Sequence, residues 1–318
     1  MSGTKKERRA FTIIELESGI KHDSLDAAPN VPLLIDLVDF TPEDLAKISQ
    51  RFEIDLEDLQ DVQDLDERPR LQIENKYTML ILRVPVNLDV EERPYSTYPI
   101  GVFTNGRDII IVKNQLVPLR KDRVWLKLRS STTPSEVIYH LWETIIKSFE
   151  YTLDIVEATI NNMEDRLLTE LYPSQLDRFF QLSRDTIFME AALKANMRVL
   201  RRLKRVHMIG KMPLDADRLE ELEVDLEQQM GLSAIYRDLI NNAMNAYDSI
   251  VGHNLSKVMK TLTVISLVVS VPTLIASLYG MNVGLPLESD PFAFVIITLF
   301  SLIITVPLLF YLKLKKLV

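Results

Sequence analysis

The chain has 318 residues, with 37 basic and 45 acidic side chains and a formal net charge of −8; hydrophobic residues make up 47% and charged residues 26%, which excludes global disorder. Cysteine is absent, so a disulfide framework, a thiolate metal site and a cysteine nucleophile are all excluded. The histidines, His22, His140, His207 and His253, never fall in the His-Glu-x-x-His spacing of a zinc hydrolase.

The length suits about two domains. Met1 to Ala10 is basic, but the apolar run after it stops at Glu15, too short for the core of a signal peptide. Residues 1 to about 130 have mixed α/β character. Short apolar runs at Phe11–Glu15, Pro32–Asp36, Tyr77–Leu82 and Ile109–Val112 predict strands. Thr41 followed by Pro42, Glu43 and Asp44 predicts a helix start, with a hydroxyl cap and proline in the first turn. Asn105-Gly106, just before the Ile109 run, predicts a hairpin turn.

From Thr133 onward the chain is glycine-poor and heptad-like. Breaks at Pro173 and at Gly210 to Pro213 divide it into predicted helices over about Ser135–Leu171, Ser174–His207 and Asp215–Tyr279. The last covers about 65 residues, a rod of roughly 95 Å at ~1.5 Å per residue, and it runs into an uncharged stretch.

No charged side chain occurs from Thr261 to Leu287, nor from Pro291 to Leu312. About 20 apolar residues in a helix cross the ~30 Å hydrocarbon core. Two spans are therefore expected, about 262–280 and 291–312. Lys257 and Lys260 precede the first and Lys313, Lys315 and Lys316 follow the second, while the loop between carries Glu288 and Asp290. The positive-inside rule then puts both termini in the cytoplasm and the loop outside. About 260 residues would stay cytosolic, hung on a two-helix hairpin in the plasma (inner) membrane. Two helices from one chain cannot enclose a water-filled path, so conduction needs several copies around an axis.

The first span carries a stripe at helical spacing: Met259, Thr263, Ser266, Ser270, Thr273, Ser277 and Gly280. Above Met259 each member is small or hydroxylic, and Leu262 flanks the lower end. As a pore wall this face is wet from Thr263 upward, with a hydrophobic constriction at Met259 and Leu262 that gates by dewetting. The alternative is a packing face on which small residues let membrane helices approach closely.

The stripe ends in Gly280-Met281-Asn282. This tripeptide, followed by a short acidic loop and a second span, resembles the CorA family of magnesium channels. The stretch Arg68-Pro69-Arg70-Leu71-Gln72-Ile73-Glu74-Asn75-Lys76-Tyr77 resembles that family's Arg-Pro-Lys-x-Glu-x-x-x-x-Tyr, with Arg70 for Lys and Gln72 for Glu, and Val258–Thr263 matches at the mouth of the first span. Ser270 stands where familiar members tend to carry a bulky apolar residue, and Pro272 lies immediately before Thr273.

The resemblance implies a homopentameric funnel. Each subunit would supply an α/β/α cytosolic domain (1–132), a helical stalk region (133–260) and a transmembrane domain (261–318). The stalk helix would continue into a pore-lining first span, with an outer second span. The implied cargo is Mg²⁺, with Co²⁺ and Ni²⁺ as further candidates, selected at Gly280, Met281 and Asn282. Intracellular Mg²⁺ is implied to close the channel by binding between Asp89 of one subunit and the stalk of its neighbour. The matching stalk position is Asn245, not an acid, and Asp248 lies nearly one turn on.

The chemistry fits. Mg²⁺ dehydrates reluctantly, so a ring of neutral oxygens from Asn282 amides and Gly280 carbonyls can bind the hydrated ion yet release it. Asn282, as the hydrated-ion ligand, also has a plainer alternative role in which Gly280 caps the helix, Met281 packs and Asn282 starts a turn. Glu288 and Asp290 would raise cation concentration at the mouth, or are ordinary loop polarity.

Acidic runs occupy Phe52–Glu67 and Asp215–Glu227, and Asp89, Glu91 and Glu92 form a third cluster; such runs are commonly solvated faces. The basic patch Arg198, Arg201, Arg202, Lys204, Arg205 lacks aromatic platforms, so nucleic acid is not expected, and it can partner the acidic tracts. Gly101–Gly106 has phosphate-loop glycine spacing without the Lys-Ser/Thr, and is rejected. No constellation supports an enzyme. The rival functions are a zinc transporter of the same superfamily and a non-conducting membrane-anchored scaffold.

Overall fold

Alternating burial along the apolar runs fixes the architecture. The computed structural model describes residues 11–22, 24–87, 95–117, 132–167, 173–209, 212–287 and 290–314. Asp89, Glu91, Glu92, Gly210, Glu288, Lys315, Lys316 and the expected helix end at Leu171 lie outside them. Strands β1 (Phe11–Glu15), β2 (Lys21–His22), β3 (Leu33–Val38), β4 (Arg70–Ile73), β5 (Thr78–Asn87), β6 (Tyr95–Thr104) and β7 (Ile109–Lys113) form one sheet in the order β2-β1-β3-β7-β6-β5-β4. Only β3 and β7 pair in parallel; the other neighbours are antiparallel. Helices α1 (Pro42–Phe52) and α2 (Leu56–Asp61) follow β3. Then come α3 (Pro134–Leu167), α4 (Pro173–Val206), the hairpin β8 (Met208–Ile209) and β9 (Met212–Pro213), α5 (Ala216–Tyr279) and α6 (Ala293–Leu314).

Both sheet faces are covered. Ile35, Leu37, Met79, Ile81, Phe103 and Val112 join Leu45, Ile48 and Leu59 of α1 and α2 in one core. The residues between them, such as Leu34, Leu80, Leu82, Val84 and Ile111, are equally buried and point the other way. There α4 lies against β4, β5 and β6, and α3 against β5. The result is a three-layer α/β/α unit. Each fully buried Leu or Ile contributes roughly 1.5–3 kcal/mol of transfer free energy.

The predicted helix at Thr41 has the expected cause. The Asp44 amide donates to the Thr41 hydroxyl (3.3 Å) and the Thr41 amide donates to the Asp44 carboxylate (2.9 Å), a reciprocal capping box. Asn105-Gly106 makes the β6–β7 turn, with Gly106 at φ 92°, a left-handed conformation that glycine adopts without strain. Gly101, in the rejected phosphate loop, sits within β6.

Strand β6 was hidden in the sequence by Pro99, as β5's full length was by Pro85. Both prolines occupy ladder positions where a neighbour has ended. Strand β4 pairs β5 only up to Ile81, and β7 pairs β6 only from Ile100. The missing proline N–H groups therefore cost no ladder bond. Where β4 stops, Asn196 of α4 takes its place. Its side-chain oxygen accepts from the Arg83 amide (2.9 Å) and its side-chain nitrogen donates to the Arg83 carbonyl (2.8 Å).

By residue contacts the chain divides into Met1–Met244 and Asn245–Val318, with α5 contributing to both. In the first unit α5 is held by charge. Arg201 (2.7 Å) and Lys204 (3.0 Å) of α4 ion-pair Glu223, and Lys204 also approaches Glu220 (3.5 Å). Arg237 pairs with Glu190 at 2.6 Å. The basic patch thus partners the acidic tract. In the second unit α5 and α6 are each long and apolar enough to cross a membrane.

Asn196→Leu should leave the part-buried Arg83 N–H and C=O unpaired behind an apolar side chain. At roughly 1–3 kcal/mol for each orphaned group, a loss of about 2–5 kcal/mol is expected in denaturant melts of the full chain. Glu223 offers a pH test. Hydrogen bonds from Arg201, then Lys204, hold its carboxyl below the ordinary value of 4.5. A depressed carboxylate pKa contributes stability above the unfolded value and loses it as pH falls through the folded value. Glu223→Gln should therefore lower the melting temperature at pH 7 slightly and flatten its fall below pH 4.5.

Candidate functional site

Within Asn245–Val318 the first apolar helix has two distinct sides. Val264, Val268, Val271, Pro272 and Ile275 are its buried or half-buried positions. On α6 the corresponding line is Ala293, Ile297, Ser301, Thr305, Leu308 and Leu312. Both follow helical spacing, so the helices pack along these lines. Thr263, Ser266, Ser270, Thr273 and Ser277 are exposed, as are Met259 (53%) and Leu262 (55%). The two sets on α5 are offset by about two residues, or roughly 200° at 3.6 residues per turn. The hydroxylic face thus points away from α6. It does not serve close packing within the chain.

The hydroxyl groups have a defined orientation. Thr263 donates to the Met259 carbonyl (2.8 Å), Ser270 to Ser266 (2.6 Å) and Thr273 to Val269 (2.8 Å). With these three protons committed to the backbone, their lone pairs remain for an outside donor. Such a face can accept hydrogen bonds from water or from the water shell of a cation. Pro272 stays within the helix. Its ring removes the donor to the Val268 carbonyl, on the side facing α6. The second helix likewise contains Pro307.

Helix α5 ends at the tripeptide. The Gly280 amide is shared between the Ala276 carbonyl (3.0 Å) and the Ser277 carbonyl (3.2 Å), and the Met281 amide reaches Leu278 (3.4 Å). Gly280 is not among the glycines with positive φ. The left-handed cap expected of a helix-ending glycine is therefore not what requires it. Met281 is 51% exposed, and Asn282 is exposed beside it. Asp290 accepts from the Phe292 amide (2.8 Å), so this carboxylate caps the turn entering α6 as well as adding charge to the loop. Sequence reasoning did not anticipate a cleft of about 400 Å³ between the helices, lined by Pro272, Ile275, Tyr279, Gly280, Phe294 and Ser301. The hydroxyls Thr298 and Ser301 inside an otherwise apolar span were its signal.

Asn245 and Asp248 are exposed on α5; their expected counterpart, Asp89, lies outside the described residues. Among described residues no three acidic or histidine side chains converge to hold a metal ion directly. The acidic run Phe52–Glu67 is largely consumed by the fold. Asp61 (2.5 Å) and Glu67 bind Arg70, Glu53 pairs with Lys76 (2.9 Å), and Asp58 accepts from the Tyr77 hydroxyl, which itself accepts from the Asp55 amide (3.3 Å). Burial, reinforced by Asp58, pushes the Tyr77 hydroxyl pKa up. The Arg68–Tyr77 stretch is thus a clamp between α2 and the β4–β5 ribbon.

A family model described as CorA-like Mg2+ transporter protein matches residues 33–315. The chain is 27% identical to the cobalt/magnesium transport protein CorA of Methanocaldococcus jannaschii over 274 residues, 82% of this chain and 83% of that protein. It is 22% identical to the zinc transport protein ZntB of Yersinia pseudotuberculosis over 260 residues, 78% of this chain and 76% of that one. The complete structure of the CorA magnesium transporter from M. jannaschii superimposes with a TM-score of 0.84 at 23% identity, covering 95% of this chain and 97% of that chain. Since the family model spans nearly the whole sequence, the chain belongs to the family of CorA-like Mg2+ transporter proteins.

Proposed function

We propose that the protein conducts hydrated Mg²⁺ into the cytoplasm through a homopentameric pore walled by the hydroxylic face of α5. The observation that carries this proposal is the two-sidedness of α5. Its apolar line meets α6, and its hydroxylic line, about 200° away, is left exposed and rich in acceptors. An acceptor-lined face turned toward lipid would be costly; turned toward an axis shared with other copies it solvates an ion's water shell. Five copies, as the family resemblance implies, would ring the axis. Gly280, Met281 and Asn282 would form the selective collar, and Met259 and Leu262 the narrow lower constriction. Both termini would lie in the cytoplasm, and Asp290 with Glu288 would draw cations to the outer mouth.

The family includes a zinc relative at 22% identity, so a zinc pore is the second reading. Flux into liposomes separates them. Mg²⁺ uptake by wild type should fall about tenfold or more in Asn282→Ala, the loss of a bond to a charged hydrated group at roughly 1.5–3 kcal/mol. Zn²⁺ uptake without Mg²⁺ uptake would favour the zinc reading, and no flux from folded oligomers would favour a tether. Regulation by intracellular Mg²⁺ at Asp89, Asn245 and Asp248 is proposed on the resemblance. Block by Mg²⁺ that Asp89→Ala leaves untouched would remove that residue from it.

The absence of cysteine makes the pore face directly testable. Single cysteines at Ser266, Ser270, Thr273 or Ser277 should react with a water-soluble thiol reagent and lose flux. Cysteines at Val264, Val268 or Val271 should stay unreactive. Equal reactivity on both lines would contradict the pore wall.

A further inference from the structure

Helices α4 and α5 run antiparallel in the first unit, and two ion pairs fix which residues stand level. Arg201 meets Glu223 at 2.7 Å and Glu190 meets Arg237 at 2.6 Å. Each helix also leaves one stripe uncovered. On α4, Phe180, Ile187, Ala191, Arg198, Arg202 and Arg205 are exposed, with Arg184 and Phe188 beside them. At about 100° per residue the six fall within about 60° of one another. On α5, Asp217, Glu221, Val224, Ile235 and Leu239 are exposed and fall within about 60°, with Asp225 at the edge. Glu223 and Arg237, which face α4, lie on the other side of α5, so the α5 stripe points away from α4.

The two stripes carry complementary zones in the same order. With 201 level with 223, and 190 level with 237, the arginines at 198, 202 and 205 stand level with about residues 220–228. There α5 shows Glu221 and Asp225. Ile187 and Ala191 stand level with about residues 234–239, where α5 shows Ile235 and Leu239. Within the chain Glu223 takes Arg201 and Lys204, and Arg198, Arg202, Arg205, Glu221 and Asp225 have no ion pair among the described residues. Large apolar side chains aligned on one exposed face mark a protein contact; Ile187 is 50% and Ile235 55% exposed. A second copy set alongside, without sliding along the helices, brings arginine to carboxylate at one level and apolar to apolar at the other. Because the α5 stripe points away from α4, one neighbour cannot cover both stripes. The contact is head-to-tail, and repeated about an axis along the helices it closes into a ring.

We propose that the first units of neighbouring copies meet through the exposed stripe of α4 on one copy and the exposed stripe of α5 on the next, Arg198, Arg202 and Arg205 facing Glu221 and Asp225, and Ile187 and Ala191 facing Ile235 and Leu239. This rests on the proposed pore only in needing several copies about one axis.

The cysteine-free chain allows a direct test on the full detergent-solubilised protein. Chains carrying Ala191→Cys alone and chains carrying Ile235→Cys alone are co-expressed and treated with a short bismaleimide. The mixture should give linked dimers in several-fold excess over either variant by itself. Adding Arg198→Glu and Arg202→Glu to the first chain should slow linking about tenfold, since like charges then face each other. Glu221→Arg and Asp225→Arg on the second chain should restore it. Should the reversed chains melt early, the cysteine pair decides alone, because it keeps every charge. Absence of linking in the mixture would overturn the contact, as would equal linking by Ala191→Cys alone or a charge-reversal loss that the opposite reversal does not restore. Oligomer mass by light scattering separates the two readings. Unlinked oligomers remove this contact and leave the pore, whereas unlinked monomers remove both; linking is read without transport, so absence of flux leaves the contact standing.

Discussion

Everything in the second unit depends on backbone hydrogen bonding where water is absent. A helix in hydrocarbon must pair its N–H and C=O groups internally, since each orphan costs several kcal/mol. Helix α5 does so as one unbroken element through Tyr279, with a proline inside it. Thr263, Ser270 and Thr273 donate back to the carbonyls four residues earlier, so their protons are satisfied within the helix while their lone pairs stay free. The same geometry gives the face its chemical sense. A hydroxyl whose proton is engaged can only accept, and an acceptor surface suits the waters of a cation better than those of an anion.

In the first unit α5 answers to a different constraint. Its buried line, Leu219, Leu222, Leu226, Tyr236 and Ile240, covers only part of the helix. Flanking positions are charged, and they are used as clasps: Glu220 and Glu223 toward α4, Arg237 toward Glu190, Arg218 toward Glu143. Individually such partly exposed pairs contribute little, about 0–1 kcal/mol. Arranged on two sides of one helix they fix its rotation, which burial alone would specify loosely. Along the α3/α5 seam this matching is incomplete: α3 brings Lys147 and Glu150, and α5 brings Glu221 and Asp225.

The sequence made the strongly periodic parts legible. Strands β1, β3 and β7 are apolar runs long enough to name themselves, the Thr41 capping box announces α1, and two uncharged stretches announce the hairpin helices. What it hid has physical causes. Strand β6 is rich in strand formers, Tyr95, Thr97, Tyr98, Ile100, Val102 and Phe103, but Pro99 and Gly101 interrupt the run; the end of β7 at Ile100 makes that proline tolerable. Strand β4 lay inside Arg68–Tyr77, where resemblance drew attention to the motif as a signature. Its side chains turn out to hold α2 against the sheet. The hydroxylic stripe was visible from spacing alone, but spacing could not say which face α6 covers. That needed the burial of Val264, Val268 and Ile275.

Gly280 shows how far a single chain explains its own residues. Its φ is not positive, so backbone freedom does not demand glycine. A Cβ placed there would meet the Ala276 carbonyl oxygen at 3.4 Å and the Ser277 carbonyl oxygen at 3.5 Å, ordinary contact distances. Within one subunit alanine would therefore fit. Any constraint against a side chain here would have to come from outside the chain. A neighbouring copy or a hydrated ion near the carbonyls beside Asn282, as the proposed pore would bring there, is where a side chain at this position would be felt.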